Sequence, residues 1–363
     1  MGYVAIGGGE RAIAAAAAEA ERSRCCQGAE GTPLPVADVQ AQLHLLVDRV
    51  CGEGGCWDPG HAALAIKQAA GDPLEAAFLV RAHRGRLPRL GVAAVHEAAA
   101  GMRLVRRISA AFKEIPGGQV LGPCTDYQHR LFRYDLLDED GAAFARARAA
   151  AVTPDAADPG PIGGSVLAGL RGDGLLSAAR PGLPAVDITR EPPRHPITRP
   201  AWLAHLARGE TGGVLALGYS TMRGYGYLHP TVAELRYGHL PVRLPHPLTG
   251  ELCEAGEVPL TEVEVVAMHG HDDQDEVALR LGYGAAFGHQ ETKAIAMAMC
   301  DLALQAGESS GIRHPAQDPE FVVAHVDGIE AMGFCNHYKL PHYVTFQADL
   351  ENLRAARRQG PAR

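Results

Sequence analysis

Two histidines near the carboxyl end, His337 and His342, flank a Lys-Leu-Pro segment in the stretch FCNHYKLPHYVTFQ. Neutral imidazole is the commonest transition-metal ligand in proteins, and Pro341 stiffens the segment between the two rings. The spacing predicts a bend that directs both rings at one zinc ion. Two ligands leave a zinc site incomplete, so we expect the others from water, substrate, another subunit, or neighbours such as His325 and Cys335. Two histidines in polar surface contacts would fit the same pattern.

The stretch from residue 103 to residue 132 combines basic residues, a Pro-Gly-Gly-Gln turn and an acid close to a histidine. We expect a basic helix followed by the turn, a combination that suits a polyanionic substrate and proton transfer. The predicted substrate-binding residues of this stretch are Arg107, Lys113, Gly117, Gly118 and Gln119, and the predicted proton-transfer residues are Asp126 and His129. A solvated basic face with a purely structural turn is the alternative.

Two glycine-rich stretches, TMRGYGYLHPTVAELRYG and GYGAAFGHQETKAIAMAM, have the composition of ligand-binding loops. In the first, Arg223 offers a fork for phosphate oxygens and Tyr225 offers a face for stacking. In the second, a glycine-bearing loop is expected to lead into a helix whose N-terminus attracts anions, with Gln290 and Lys293 at that start. An ordinary turn and an ordinary loop-to-helix junction are the alternatives.

Composition limits the classes of protein that fit. The 363 residues carry a formal charge of -8, which argues against a broad nucleic-acid or membrane-surface interface. The eight cysteines are scattered without a CxxC pair, as in a cytoplasmic protein with reduced thiols. The sequence lacks the P-loop, the GxSxG nucleophile elbow and the HExxH zinc motif.

The elements that must position these residues point to an α+β fold. We predict a mainly helical domain over 1–150, a Pro/Gly-rich linker or insertion over 151–200, and a mixed α+β domain over 201–363 that holds the metal site.

Local signals predict individual elements. Asp38, Asp58 and Asp72 are expected to cap helices, the last two directly before a proline. Strands are expected around residues 240–244 and 263–265, and the apolar run 321–326 is typical of a buried strand. Further helices are expected over 200–208 and over 291–306, the second ending at Gly307.

Six blocks of sequence together resemble subunit I of the bacterial carbon–phosphorus lyase core complex, which acts in phosphonate breakdown. The blocks are ALAIKQAAGDPLEAAFLVRA, RRISAAFKEIPGGQVLGPCTDYQHRL, ARGETG, YSTMRGYGYLHPTVAELR, FGHQETKAIAMAMCDLAL and HVDGIEAMGFCNHYKLPHYVTFQADL. Their order along nearly the whole chain makes the resemblance more specific than any single motif.

The resemblance implies a purine nucleosidase when the chain acts alone. With partner subunits it implies a transferase, in which a phosphonate displaces the purine of ATP or GTP at ribose C1′ to give a ribose 1-phosphonate 5-triphosphate. The implied partners are subunits G, H and J and the ATPase subunits of the pathway. The implied cofactor is Zn²⁺, held by His337 and His342 near the contact with subunit J.

Glycosidic cleavage builds positive charge on the sugar and requires a proton for the departing base. Asp126, His129 and Glu291 are the predicted acid–base residues, while Arg223, Lys293 and the Pro-Gly-Gly-Gln turn are predicted to hold anions. A metal-dependent nucleotide phosphohydrolase and a non-catalytic scaffold stapled to a partner by zinc are the alternatives.

Overall fold

The structure, a computed structural model, combines helices with one antiparallel sheet and confirms the predicted α+β class. It describes residues 9–25, 33–89, 91, 93, 101–151, 165–176, 186–223, 229–271 and 277–360. The described α-helices are α1 (Gly9–Cys25), α2 (Val36–Gln42), α3 (His44–Gly54), α4 (Pro59–Gln68), α5 (Pro73–Arg84), α6 (Gly141–Ala150), α7 (Ala168–Gly172), α8 (Arg199–Arg208), α9 (Thr211–Ser220), α10 (Glu291–Ser310), α11 (Pro319–His325), α12 (Gly328–His337) and α13 (Tyr343–Gln359). The strands are β1 (Arg103–Ile108), β2 (Thr231–Pro245), β3 (Leu252–His271) and β4 (Val277–Phe287). None of the described helices combines the length and the apolar character needed to cross a bilayer.

Contacts group the chain into two compact units, each assembled from several chain segments. Unit 1 consists of Met1–Leu87, Arg208–Gly213 and Val323–Arg363, and unit 2 consists of Pro88–Ala207 and Val214–Val322. The predicted division at residues 150 and 200 follows chain order instead of contacts, and it stays a prediction.

In unit 1, helices α2 to α5 pack around a small apolar core that includes Val47, Val50 and Val80. The Asp58 carboxylate accepts a hydrogen bond from the His61 N–H, and Asp72 accepts from two N–H groups of α5, so both predicted caps are confirmed. The prediction for Asp38 is wrong. Helix α2 already begins at Val36 after an extended Pro35, which leaves Asp38 inside the first turn.

In unit 2, the four strands form a meander in the order β1-β2-β3-β4, with every neighbouring pair antiparallel. Helix α10 packs on one face of the sheet, where Ala294, Ala298 and Leu302 contact Leu235 and Val263. Apolar side chains alternate along β2 and β3 as predicted, because this face is buried and the other carries charged residues.

Two strand glycines let α10 lie directly against β4. A Cβ on Gly284 would lie 2.0 Å from the Ala294 carbonyl oxygen, and one on Gly282 would lie 2.2 Å from that of Ala298. The prediction that these glycines belong to a ligand-binding loop is wrong: they lie in β4, and only Gly288–Gln290 connect the strand to the helix.

Gly284→Ala is expected to destabilise the fold by about 3 kcal/mol or more, since the contacted atom belongs to the backbone and a new methyl group would separate helix from strand. Gly333→Ala is the matched control, because its Cβ would meet nothing within 4 Å in the middle of α12. It is expected to raise stability by about 0.5–1 kcal/mol. Urea unfolding followed by circular dichroism measures both, and equal midpoints for the two variants would contradict the prediction.

The β2–β3 hairpin is longer than its neighbours. Strand β1 pairs with β2 only as far as His239, and β4 pairs with β3 only from Leu260 onward. In the described part of the chain, Leu240–Pro245 and Leu252–Val258 therefore pair with each other alone. The hairpin extends as a two-stranded ribbon.

Three predicted elements differ in the structure. The basic stretch from Arg103 forms β1 instead of a helix, because it pairs along its length with β2. Residues 321–326 belong mainly to α11, which Asp318 caps by accepting hydrogen bonds from two N–H groups. Helix α10 continues past Gly307 to Ser310. Gly307 instead allows the chain at Gln317 to approach closely, since a Cβ on this glycine would lie 2.1 Å from the Gln317 carbonyl oxygen.

Part of the Pro/Gly-rich segment, which was predicted to be a linker or insertion, contributes to the core. Leu167 and Leu176 are buried and pack with Ala233 of β2. The described portion around α7 is therefore integral to unit 2.

Candidate functional site

The two histidines of the Lys-Leu-Pro segment come together in unit 1. His337 is the last residue of α12, and His342 directly precedes α13. Their Nε2 atoms are 2.9 Å apart, and the rings meet edge to face at 85°. The predicted bend therefore exists, and it directs the two nitrogens at each other.

The protonation pattern of this pair fits a metal ion. His342 Nδ1 lies 2.6 Å from the Leu340 carbonyl, which only accepts a hydrogen bond, so in the neutral ring the proton is on Nδ1 and the lone pair is on Nε2. Two nitrogens at about 2.0–2.1 Å from one zinc would be about 2.9 Å apart at a right angle and about 3.4 Å apart at the tetrahedral angle. The observed separation matches the first value and lies about 0.5 Å from the second.

A partly buried ion pair fixes the start of α12. Asp327 caps the helix by accepting from Glu330 N–H, and both its oxygens contact Arg81 at 2.7 and 2.8 Å. Burial raises the pKa of Asp327, but the Arg81 hydrogen bonds and charge, with that of Arg208 further away, outweigh this and hold the pKa below its usual value. The helix that carries His337 is thereby tied to α5.

Exposed apolar side chains surround the histidine pair. They are Phe334, Tyr338, Leu340, Tyr343, Val344 and Phe346. Helix α13 has no buried residue in the chain on its own. An apolar surface of this kind is typical of a protein–protein contact.

Neither of the neighbours named as further ligands completes the site within the described residues. The one group of three or more metal-ligating side chains found there is Asp58, His61 and His83, whose ligand atoms lie within 4.8 Å of one another. Asp58 Oδ2 is 2.7 Å from His61 Nδ1, and the two imidazoles stack at 4.3 Å. Helix capping and ring stacking account for this cluster, which the sequence analysis did not predict.

A second cluster of charged groups lies in unit 2, where α10 begins. Arg106 of β1 is fully buried, and its guanidinium contacts two carboxylates, those of Asp126 and Glu291. Nε lies 2.7 Å from Glu291 Oε1 as a charge contact, while Nη1 donates a 2.6 Å hydrogen bond to the Leu121 carbonyl. Burial lowers the pKa of Arg106, but the charges of Glu291 and Asp126 outweigh this and leave it above its usual value.

His289 completes this cluster. Its Nε2 lies 2.8 Å from Glu291 Oε1, and its ring stacks on Tyr237 at 4.3 Å with 9° between the planes. Gln290 lies between His289 and Glu291 in the chain and is buried, and its Nε2 has no hydrogen-bond partner within the described residues. The arrangement brings together a cation, two carboxylates and an imidazole, groups that can take part in acid–base chemistry.

Comparison with known proteins assigns the family. The profile for the bacterial phosphonate metabolism protein (PhnI) matches residues 2–360. The chain belongs to the PhnI family. The chain is 53% identical to the C-P lyase subunit protein HtxH of Stutzerimonas stutzeri, over 100% of this chain and 98% of that protein.

Two further relatives carry the PhnI name. The Escherichia coli (strain K12) protein, named alpha-D-ribose 1-methylphosphonate 5-triphosphate synthase subunit PhnI, is 46% identical over 97% of each chain. The Rhizobium meliloti (strain 1021) protein of the same name is 42% identical over 99% of this chain and 96% of its own. The resemblance drawn from the sequence blocks is confirmed, and the chain belongs to a family that acts in phosphonate metabolism.

Several residues predicted as substrate contacts in this PhnI family member have protein partners. Arg107 is buried, with Nε donating to Glu234 and Nη1 donating to the Pro116 carbonyl, each at 2.6 Å. Gln119 spans the same turn by donating to the Phe112 and Lys113 carbonyls. Arg107 and Gln119 therefore shape the predicted Pro-Gly-Gly-Gln turn.

The other residues predicted to contact substrate are a pair of turn glycines, a buried lysine and an exposed arginine. Gly117 and Gly118 form the turn with positive φ angles of 80° and 76°, which favour glycine. Lys293 is buried, and its Nζ donates to the Ala207 carbonyl at 2.8 Å. Exposed Arg223 donates to the Tyr219 hydroxyl at 2.7 Å, and Tyr225 lies outside the described residues.

The structure brings Asp126 and Glu291 together but leaves His129 exposed on the loop that follows Asp126. Sequence reasoning missed Tyr237 and His289 as members of this cluster. The signal for His289 was available in the His-Gln-Glu triplet, which places an imidazole within reach of the first glutamate of a helix.

Proposed function

We propose that this chain is a subunit of a transferase that displaces the purine of ATP or GTP by a phosphonate at ribose C1′. The product is a ribose 1-phosphonate 5-triphosphate, and the chain alone acts as a purine nucleosidase. The observation that supports this most strongly is similarity along almost the full length of the Escherichia coli synthase subunit.

The charged cluster at α10 suits the proposed chemistry. As the C1′–N9 bond breaks, positive charge develops on the sugar, and carboxylates such as Asp126 and Glu291 stabilise it. Arg106 holds both carboxylates in one place, so their geometry is set before the substrate binds. His129 is the third proposed acid–base residue.

The triphosphate and the incoming phosphonate require cations and N–H donors. The residues proposed to bind them remain Arg107, Lys113, Gly117, Gly118, Gln119, Arg223, Tyr225, Gln290 and Lys293. The Pro-Gly-Gly-Gln turn offers backbone N–H groups, whereas Lys113 and Arg223 offer charge at the surface.

His337 and His342 are the residues proposed to hold Zn²⁺. When bound, zinc would act as a Lewis acid for phosphate or phosphonate oxygens and would accept further ligands. The fixed Nδ1 proton of His342 supports this assignment, since the Nε2 lone pair then faces the ion.

The proposed partners are subunits G, H and J of the carbon–phosphorus lyase core complex, together with the ATPase subunits of the pathway. The exposed apolar surface around α12 and α13 supports a partner at the histidine pair. A cytoplasmic location is part of the same proposal. That surface also favours one alternative, a non-catalytic scaffold in which zinc joins two subunits by binding residues of both.

Product analysis tests the proposal. Purified chain, alone and with partner subunits, is incubated with ATP in the presence and absence of methylphosphonate, and bases and sugars are separated by chromatography. Free adenine with an intact ribose triphosphate is expected from the chain alone, and a ribose 1-methylphosphonate 5-triphosphate is expected from the complex. Release of phosphate without adenine would instead support a metal-dependent phosphohydrolase. Absence of base release, with dissociation of the complex by a chelator, would support the scaffold.

A further inference from the structure

Residues 127–140 of unit 2 form an exposed arm that leads to α6. The arm begins directly after Asp126, whose carboxylate contacts the buried Arg106, and every residue of the arm is exposed. It nevertheless carries six large apolar side chains, those of Tyr127, Leu131, Phe132, Tyr134, Leu136 and Leu137. The fold of the single chain therefore leaves a continuous set of apolar side chains in contact with water.

The apolar area of the arm is large enough for a contact with another protein. Tyr127, Phe132 and Tyr134 are 84%, 86% and 71% exposed. Three aromatic side chains exposed to this extent present on the order of 400–500 Å². Each partner in a stable protein–protein interface contributes about 800 Å², so the rings supply roughly half of that area and the leucines add to it. Exposed apolar surface of this size is typical of an interaction site.

The arm has local structure of its own. The rings of Phe132 and Tyr134 are 6.0 Å apart, and a 3₁₀ helix spans Tyr134–Asp138. The Asp140 carboxylate accepts a hydrogen bond from the Ala143 N–H and so caps α6. A surface that is already ordered loses less conformational entropy when a partner binds.

Charge divides the arm into two halves of opposite sign. Residues 127–134 contain two arginines and no acid, whereas residues 135–140 contain four acids and no base. The charged residues are Arg130, Arg133, Asp135, Asp138, Glu139 and Asp140. If two such arms lie antiparallel, the basic half of each faces the acidic half of the other. This complementarity occurs twice, once on each side of a two-fold axis, as in the isologous interfaces of homodimers.

We propose that the arm is a self-association surface, at which two copies of this chain pair antiparallel about a two-fold axis. The apolar side chains of each arm cover those of the other, and the charged side chains determine the direction of pairing. A second copy is the occupant that the charges favour, because one arm carries both halves of the complementary pattern. This inference is independent of the proposed function.

Sedimentation velocity of the purified chain over a range of micromolar concentrations tests the pairing, and the unaltered chain is expected to form dimers. Arg130→Glu combined with Arg133→Glu makes the whole arm acidic, and Asp138→Lys combined with Glu139→Lys makes it basic overall. Each double variant is expected to dimerise at least about tenfold more weakly, since like charges then face each other in the antiparallel pair.

An equimolar mixture of the two double variants provides the sharpest measurement. An acidic arm then meets a basic arm, so the mixture is expected to dimerise at least as strongly as the unaltered chain. Recovery in the mixture also shows that both variants are folded. Arg190→Glu combined with Arg194→Glu is the matched control, because it reverses two exposed arginines elsewhere in unit 2 and should leave dimerisation unchanged.

An unaltered chain that stays monomeric over the whole range would overturn the proposal, and the arm would then be a contact for a different protein. Double variants that dimerise as strongly as the unaltered chain, or a mixture that stays monomeric, would overturn it as well. An equal loss of dimerisation in the Arg190 and Arg194 control would attribute the effect to net charge and rule out the arm as its source.

Discussion

Replacing either His337 or His342 by alanine is expected to leave the purified protein almost without zinc. Each imidazole supplies half of the protein nitrogens that converge at this point, with Nε2 atoms 2.9 Å apart. Loss of a direct ligand should therefore weaken zinc binding by more than the roughly 10- to 100-fold that changes in outer-shell partners cause. Zinc per chain, determined by mass spectrometry after dialysis against a competing chelator, measures the effect.

His61→Ala is the matched control for that experiment. It removes an imidazole from the Asp58, His61 and His83 cluster and leaves the α12–α13 pair intact. Zinc content should match that of the unaltered chain. If zinc were lost from His61→Ala and retained in His337→Ala, the ion would be bound at the α4 cluster, and the assignment to the α12–α13 pair would be wrong.

Asp327→Ala is expected to destabilise unit 1 by roughly 3 kcal/mol, because it leaves the Arg81 guanidinium without its carboxylate and removes the cap of α12. Urea unfolding at neutral pH measures this difference. Asp135→Ala is the control, since Asp135 pairs with Arg133 where both side chains are more than half exposed. Exposed pairs of this kind contribute about 1 kcal/mol or less.

The effect of Asp327 should depend on pH in one direction. Its folded-state pKa is held below the ordinary value, so the unfolded chain takes up the proton first as the pH falls. The stabilisation is complete above the unfolded-state pKa of about 3.9 and is lost as the pH falls through the lower folded-state value. The gap between the unaltered chain and Asp327→Ala should therefore be constant from about pH 5 to 7 and narrow below about pH 4. A gap that widened on acidification would contradict this assignment.

Local signals predicted those elements that depend on a few neighbouring residues. In the aspartate–proline pairs that begin α4 and α5, the aspartate accepts hydrogen bonds from backbone N–H groups within the same turn. The start of each helix therefore depends on neighbouring residues alone and could be predicted from the sequence. The same signal at Asp318 and Pro319 identifies the start of α11, but the apolar run after it favoured a strand. Strand β1 was harder to predict, because the strand it pairs with, β2, lies more than 100 residues further along the chain.

The two candidate sites also differ in whether they depend on local or on distant contacts. His337 and His342 are five residues apart, and a proline-containing turn is enough to bring them together. The α10 cluster instead forms only when strands β1 and β2 pair and the start of α10 packs against them. The positions of these residues along the sequence do not reveal that contact. The pairing of Arg107 with Glu234 was equally hidden from the sequence, because the two residues are 127 positions apart.

The long β2–β3 ribbon has a consequence for solubility. Among the residues that the structure describes, the outer edges of the ribbon beyond β1 and β4 have no strand partner, so their backbone groups could pair with a strand of another molecule. Pro241 and Pro245 lack N–H donors along this part of the ribbon, and the Arg243–Glu254 pair places charge beside them. Such side chains discourage self-association through strand addition, so the ribbon can extend from the sheet without seeding aggregates.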